Sequence, residues 1–391
     1  MMADGRPRSE HPFLSGAQLL DDGAAIEILL DGKPYRFHAI WLRDNAQDVE
    51  TRSPGNGQRL ITLLDIPPNT RIAQAARTPH GLSIRFEPEG KVVEFDPAWL
   101  FAHRYDRPAP APAGWTSSEI LRWDAGIADR IPVEDYDAIR TDAGARLRWL
   151  KAIQHYGVAR LRGVTTDHGA PERVAELFGY IRETNYGRVF DVRVEVDPSN
   201  LAYTNLGLQA HTDNPYRDPA PGLQILCCLR NQVEGGESIV VDGFEVARRL
   251  NAESPRGFAL LSGHNARFDY AGAQGVRLRS RKPMIELGPD GELLAVRFNN
   301  RSAAPFVDIS YDDMADYYDA YRRMAELIDD PALALRFKLD PGEAFVVDNL
   351  RVLHARTAIT GTGDRHLQGC YADRDGLLST IAALEEEGAG A

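Results

Sequence analysis

The stretch His211-Thr212-Asp213 constrains this chain most, because one distant histidine, His354, completes it chemically. Two imidazoles and a carboxylate make the facial ligand set of a non-haem Fe(II) oxygenase, which leaves one face of the metal open. Residues two apart on a strand point to the same side, so the spacing predicts His211 and Asp213 on one face of a strand. The third ligand must then come from a remote strand. Leu350-Arg351-Val352-Leu353-His354-Ala355-Arg356 has the apolar flanks of a buried strand carrying it. Arg365 follows His354 by eleven residues and is suited to a bidentate grip on a dicarboxylate such as 2-oxoglutarate. Ser238, in Gly235-Gly236-Glu237-Ser238, could donate a further hydrogen bond. Fe(II), with 2-oxoglutarate and O2 as co-substrates, is the expected equipment, and the chemistry asks for no general base on the protein.

The totals narrow the alternatives. A chain of 391 residues, 43% apolar and 26% charged, can bury a large core in one domain or two. Its formal net charge of −12 argues against nucleic-acid binding, which needs a basic surface, and is compatible with a small cationic substrate. The cysteines Cys227, Cys228 and Cys370 suggest no disulfide framework, and the adjacent pair would face opposite sides of a strand. That pattern fits a reducing cytoplasm. The segment Met1-Met2-Ala3-Asp4-Gly5-Arg6 has no apolar core of a signal peptide, and no run of eighteen apolar residues predicts a membrane span. Walker A, G-x-S-x-G and H-E-x-x-H motifs are absent.

Along the chain, residues 1–105 read as a small β-rich domain. Ala25 to Leu30 is a strand before the Asp31-Gly32 turn, Tyr35 to Trp41 is another, and Leu82 to Phe86 and Val92 to Phe95 flank a further turn. Residues 106–130, with the Pro/Ala-rich run Pro108 to Gly114, read as a linker. Residues 131–391 read as the catalytic domain, with helices at 146–156, 171–180 and 311–328 and a strand at 157–161. Strands dominate from 201 to 375. The fold class is therefore mainly β with flanking helices: a double-stranded β-helix, or jelly roll, holding the metal in its mouth. Tyr186, Phe190, Tyr203 and Tyr371 crowd the iron motifs. Their rings suit either core packing or a quaternary ammonium, which has no N–H to donate and is held by ring faces.

Several segments together resemble the γ-butyrobetaine hydroxylase and trimethyllysine hydroxylase family of Fe(II)/2-oxoglutarate dioxygenases, in the taurine dioxygenase-like superfamily. They are Trp41-Leu42-Arg43-Asp44-Asn45, Pro97-Ala98-Trp99-Leu100, Ala202-Tyr203-Thr204, His211-Thr212-Asp213, Val241-Asp242-Gly243-Phe244, Phe345 to Arg356 and Asp364-Arg365-His366. The resemblance spans nearly the whole chain. It implies Fe(II) at His211, Asp213 and His354, and 2-oxoglutarate at Arg365. It implies a trimethylammonium cage of Tyr186, Phe190, Tyr203 and Tyr371, with Asn200 and Asn300 beside the substrate, and it implies a homodimer.

Two departures carry expectations. Where the family has C-x-C-x-x-C for a structural zinc, this chain has Ala46, Asp48 and Thr51, with His103 as the remaining ligand type. One histidine without thiolates does not make a structural zinc site, so no zinc is expected. The second departure is Arg301, which follows Asn300 where the family has an apolar or small residue. A guanidinium there offers a fork of donors and full charge, which suits a phosphonate better than a carboxylate. The expected substrate is therefore 2-(trimethylamino)ethylphosphonate, hydroxylated beside phosphorus. The alternatives are γ-butyrobetaine, giving L-carnitine, and a non-catalytic jelly-roll binding protein.

Overall fold

The computed structural model describes residues 12–106, 111–193, 207–272, 274–360 and 363–389. The chain forms two compact units, 1–110 and 111–391. None of the described helices is long and apolar enough to cross a membrane.

The first unit holds two three-stranded antiparallel sheets, Leu14–Leu20 with Ala25–Leu30 and Lys33–His38, and Arg71–Thr78 with Gly81–Glu87 and Val92–Phe95. Ile26, Ile28 and Leu30 alternate into the core, as the two-residue period of a strand requires. Asp31 and Gly32 both take positive φ (51° and 72°), which matches a tight hairpin turn. The strand expected through Trp41 stops at His38, and Ala39–Asp44 is a helical turn. Ala39 and Leu42, three apart, are both buried, so helical rather than alternating spacing decides this segment. Where the resembled family carries zinc thiolates, Ala46 is core and Asp48 pairs with Lys91 at 2.8 Å. Thr51 donates to Asp48 (2.9 Å). His103 stacks on Trp99, with centroids 4.4 Å apart, and its Nδ1 lies 2.7 Å from the Trp99 carbonyl.

In the second unit two antiparallel-rich sheets face each other. One orders Leu208–His211, Val352–Arg356, Ser238–Asp242 and Ala334–Phe337; the other orders Val133–Asp135, Val158–Arg162, Ala344–Asp348, Leu223–Asn231, Arg365–Ala372 and Phe190–Val192. Val240, Val352, Leu226, Phe345 and Leu367 pack between them. Outside the larger sheet lie the helices Ala143–Tyr156 and Ala170–Ala175 and the C-terminal helix Arg374–Ala389. Outside the smaller sheet lie Gly243–Glu253, Pro255–Gly263 and Met314–Ile328. This is the jelly roll with flanking helices. Cys227 and Cys228 fall into different cores, on opposite faces of their strand.

The linker reading of 106–130 does not survive beyond its start. Residues from 111 onward belong to the second unit. Trp123 and Ile127 are core residues there, and Trp123 Nε1 donates to the Tyr156 carbonyl at 2.6 Å. Residues 107–110 lie outside the described residues.

Candidate active site

A cavity of about 480 Å³ opens between the sheets, and the predicted ligands line it. His211 and His354 are direct cross-strand partners, with ring centroids 4.5 Å apart. Asp213 does not share the strand of His211, which ends at that residue. Asn349 holds the following turn instead: its Oδ1 accepts from Asp213 N (2.6 Å) and its Nδ2 donates to Asp213 O (3.0 Å). Asp213 Oδ1 lies 3.3 Å from His211 Nε2 and 3.7 Å from His354 Nε2. Among the described residues these three make up the one group of metal-capable side chains, their ligand atoms within 4.8 Å of one another.

Electrostatics suit a cation. Burial alone would raise the Asp213 carboxyl, but His354, His211 and the Tyr371 hydroxyl hold it well below the usual carboxylate range. Burial pushes the His354 imidazole down to about 3, leaving it neutral. His211 Nδ1 sits 2.8 Å from the Gln209 carbonyl, which turns Nε2 toward the carboxylate. A carboxylate and two imidazoles fit a divalent iron ion.

Strand period explains the neighbouring wall. Arg365, Leu367, Gly369 and Tyr371 occupy one face of their strand, and three of them line the cavity. Gly369 leaves room for Phe190, because a Cβ there would lie 2.6 Å from the Phe190 Cζ. Arg365 is buried; its Nη2 donates to the Gly236 carbonyl (3.2 Å), while Nε and Nη1 have no protein partner. Burial and neighbouring Arg356 push it down to about 10. Orphaned guanidinium donors in a cavity fit the distal carboxylate of 2-oxoglutarate. Ser238, buried and opposite Arg356 in register, lines the same region. Gly235 and Gly236 both take positive φ (69° and 63°), and a Cβ on Gly236 would lie 3.0 Å from Arg365 Nε.

Aromatic side chains also line the cavity. Phe190 and Tyr371 pack at 5.0 Å between centroids, and Tyr186 lines the cavity with them. Two tyrosines that sequence reasoning missed join this wall: Tyr216 and Tyr270 stack at 4.9 Å. Tyr186 and Tyr216 share a 3.0 Å hydroxyl contact, and Tyr216 donates to Asn214 Oδ1. Asn214 Nδ2 is buried without a partner. Tyr216 follows Asp213 by three residues, so proximity to the ligand motif was an available signal; Tyr270 offered none. Tyr203 and Asn200 lie outside the described residues.

The predicted Asn300 does not line the cavity. Its side chain donates to Gln209 Oε1 and accepts from the Tyr321 hydroxyl, and the preceding Asn299 faces the cavity instead. Arg301 lines the cavity while remaining exposed.

Comparison with known proteins gives the family. The profile of the Taurine catabolism dioxygenase TauD, TfdA family matches residues 124–371. The chain is 36% identical to gamma-butyrobetaine dioxygenase of Pseudomonas sp. (strain AK-1), over 91% of this chain and 92% of that one. It is 30% identical to the Homo sapiens gamma-butyrobetaine dioxygenase, over 95% and 97% respectively. It is also 30% identical to the trimethyllysine dioxygenase of Meyerozyma guilliermondii, over 93% and 94%. The chain belongs to the TauD, TfdA family, and it is an Fe(II)- and 2-oxoglutarate-dependent dioxygenase.

Proposed function

We propose that this enzyme hydroxylates a small zwitterion with a trimethylammonium group at one end and an anion at the other, and that γ-butyrobetaine is its substrate. The observation that carries the proposal is the lining of the cavity. Tyr186 contacts Tyr216 and Tyr270, Phe190 packs on Tyr371, and the same cavity is lined by the cationic side chains Arg301, Arg356 and Arg365. The full-length relatives named gamma-butyrobetaine dioxygenase support the carboxylate.

The residues divide the work. His211, Asp213 and His354 hold the metal, and Arg365 with Ser238 receives the distal carboxylate of 2-oxoglutarate. The tyrosine faces hold the methylated cation without hydrogen bonds. The Asn214 amide, whose Nδ2 has no protein partner, and Arg301 are cavity-lining groups suited to the substrate's anion. Iron with 2-oxoglutarate and O2 supplies the oxidising power that removes a substrate hydrogen. The protein contributes position and the exclusion of water.

Arg301 favours a second reading, 2-(trimethylamino)ethylphosphonate, because it adds a full positive charge at the cavity edge. A substrate panel separates the readings. With iron, 2-oxoglutarate and O2 present, succinate and hydroxylated product are measured for γ-butyrobetaine, the phosphonate and a neutral tert-butyl isostere. Preference for γ-butyrobetaine supports the main reading, and preference for the phosphonate replaces it. Equal turnover of the tert-butyl compound would reject recognition of the cation.

A further inference from the structure

One carboxylate oxygen of Asp213 is accounted for by the two imidazoles; the other is accounted for by the opposite sheet. Tyr371 Oη donates to Asp213 Oδ2 at 2.7 Å, and Gln224 Nε2 donates to the same atom at 2.5 Å. Tyr371 and Gln224 are cross-strand partners on adjacent strands of the six-stranded sheet. Both donors therefore arrive from one pair of positions fixed by sheet register. With the Asp213 backbone pinned by Asn349, the carboxylate has little freedom to rotate.

We infer that Tyr371 and Gln224 are positioning residues that occupy Asp213 Oδ2, so that Oδ1 alone is presented beside His211 and His354. This rests on the iron-site reading above. The chemical reason is competition for open positions. A carboxylate can grip a metal through one oxygen or both, and a second oxygen would take a place that 2-oxoglutarate or O2 needs. Two donors on Oδ2 oppose that swing, because moving it toward the metal would break both bonds and leave buried donors unsatisfied.

Tyr371 has a further consequence. Its ring packs on Phe190 and lines the cavity, while its hydroxyl holds the metal ligand. One side chain thus belongs to the cation wall and to the support of the metal site. The two sites therefore meet at a single residue.

The test uses the full chain freed of metal and titrated with Co(II), whose ligand-field absorption reports coordination. Tyr371→Phe keeps the ring and removes the donor; Gln224→Met keeps the volume and removes the other. Each should weaken Co(II) binding roughly 10- to 100-fold, as removal of supporting groups around a metal ligand typically does. Each should also change the absorption of the Co(II)–2-oxoglutarate complex. Tyr371→Leu removes the ring as well as the donor and should raise the KM for the trimethylammonium substrate more than Tyr371→Phe does. If both donor-deleted variants match wild type in affinity and spectrum, even with lowered melting temperatures, the residues merely pack and the inference is overturned. Should His354→Ala bind Co(II) as tightly as wild type, the iron-site reading itself fails, which is a distinguishable result.

Discussion

Two arginines flank the strand that carries His354, and both are nearly closed to solvent: Arg351 is 1% exposed and Arg365 is 6%. Their surroundings differ in one respect. Arg351 meets Asp242 through Nε (3.0 Å) and Nη2 (2.9 Å), and it donates through Nη1 to the His155 carbonyl (2.9 Å) and through Nη2 to that of Leu121. Asp242 in turn accepts from the backbone of Trp123 and Phe244. Every nitrogen of that guanidinium is occupied by protein, and it ties the 121–123 segment to the sheet. Arg365 leaves two nitrogens without protein partners. Burial alone thus does not separate a structural charge from a functional one; satisfaction does.

The largest effect should fall between the two arginines. His354→Ala removes a ligand rather than a core anchor and should abolish succinate formation while the melting temperature stays close to that of wild type; a variant retaining turnover would remove His354 from the metal site. Arg351→Met should destabilise the second unit by about 3–5 kcal/mol, since it strands a buried carboxylate, and denaturant unfolding measures that cost. A much smaller loss would mean that Asp242 finds other partners and that the contrast with Arg365 is one of degree.

Arg365→Met should do the reverse. Holding an unpaired guanidinium out of water penalises folding below about pH 10, where the folded-state group is charged, and the penalty fades as pH rises through the range between its folded and unfolded values. The ligand-free variant should therefore be at least as stable as wild type, while its KM for 2-oxoglutarate rises about 10- to 100-fold for lost charge-assisted bonds of about 1.5–3 kcal/mol. Addition of 2-oxoglutarate without O2 should raise the melting temperature of wild type and leave that of Arg365→Met unmoved. A ligand-induced shift in the variant would place the co-substrate elsewhere. The smallest effect concerns Tyr270→Leu, which removes one ring face and about 0.5–2 kcal/mol of cation attraction. Its KM for the trimethylammonium substrate should rise a few-fold with that for 2-oxoglutarate unchanged, which steady-state kinetics resolves.

Sequence reading picked out His211, Asp213, His354 and Arg365, which line one cavity, because the expected chemistry is written in residue type and spacing. His354 with its apolar flanks and Arg365 beyond it required only strand periodicity. The same periodicity misplaced Asp213, which leaves the strand after His211 and is held by a side chain 136 positions away. The resemblance pointed to Asn300, whereas the preceding Asn299 lines the cavity, just before the turn at 300–302. Tyr270 was invisible, since it ends a hairpin strand, Asn265–Tyr270, with no link in sequence to the ligands. The 111–130 segment reads as a linker by composition, yet Trp123 anchors it. Groups set by local chemistry were legible; groups delivered by tertiary folding were not.

The glycine pair at 235 and 236 gives the cavity an uneven capacity for change. A Cβ at Gly235 would lie 2.2 Å from the Ala358 carbonyl, and one at Gly236 would press on Arg365 from 3.0 Å, on a backbone that L side chains rarely adopt. Neither position contributes a side chain, yet both resist replacement: Gly236 leaves room for the guanidinium, and Gly235 permits the close approach of the 358 backbone. Tyr270 and Arg301 line the cavity from other segments of the chain. Mutational libraries aimed at new substrates should therefore target such positions and leave this turn untouched.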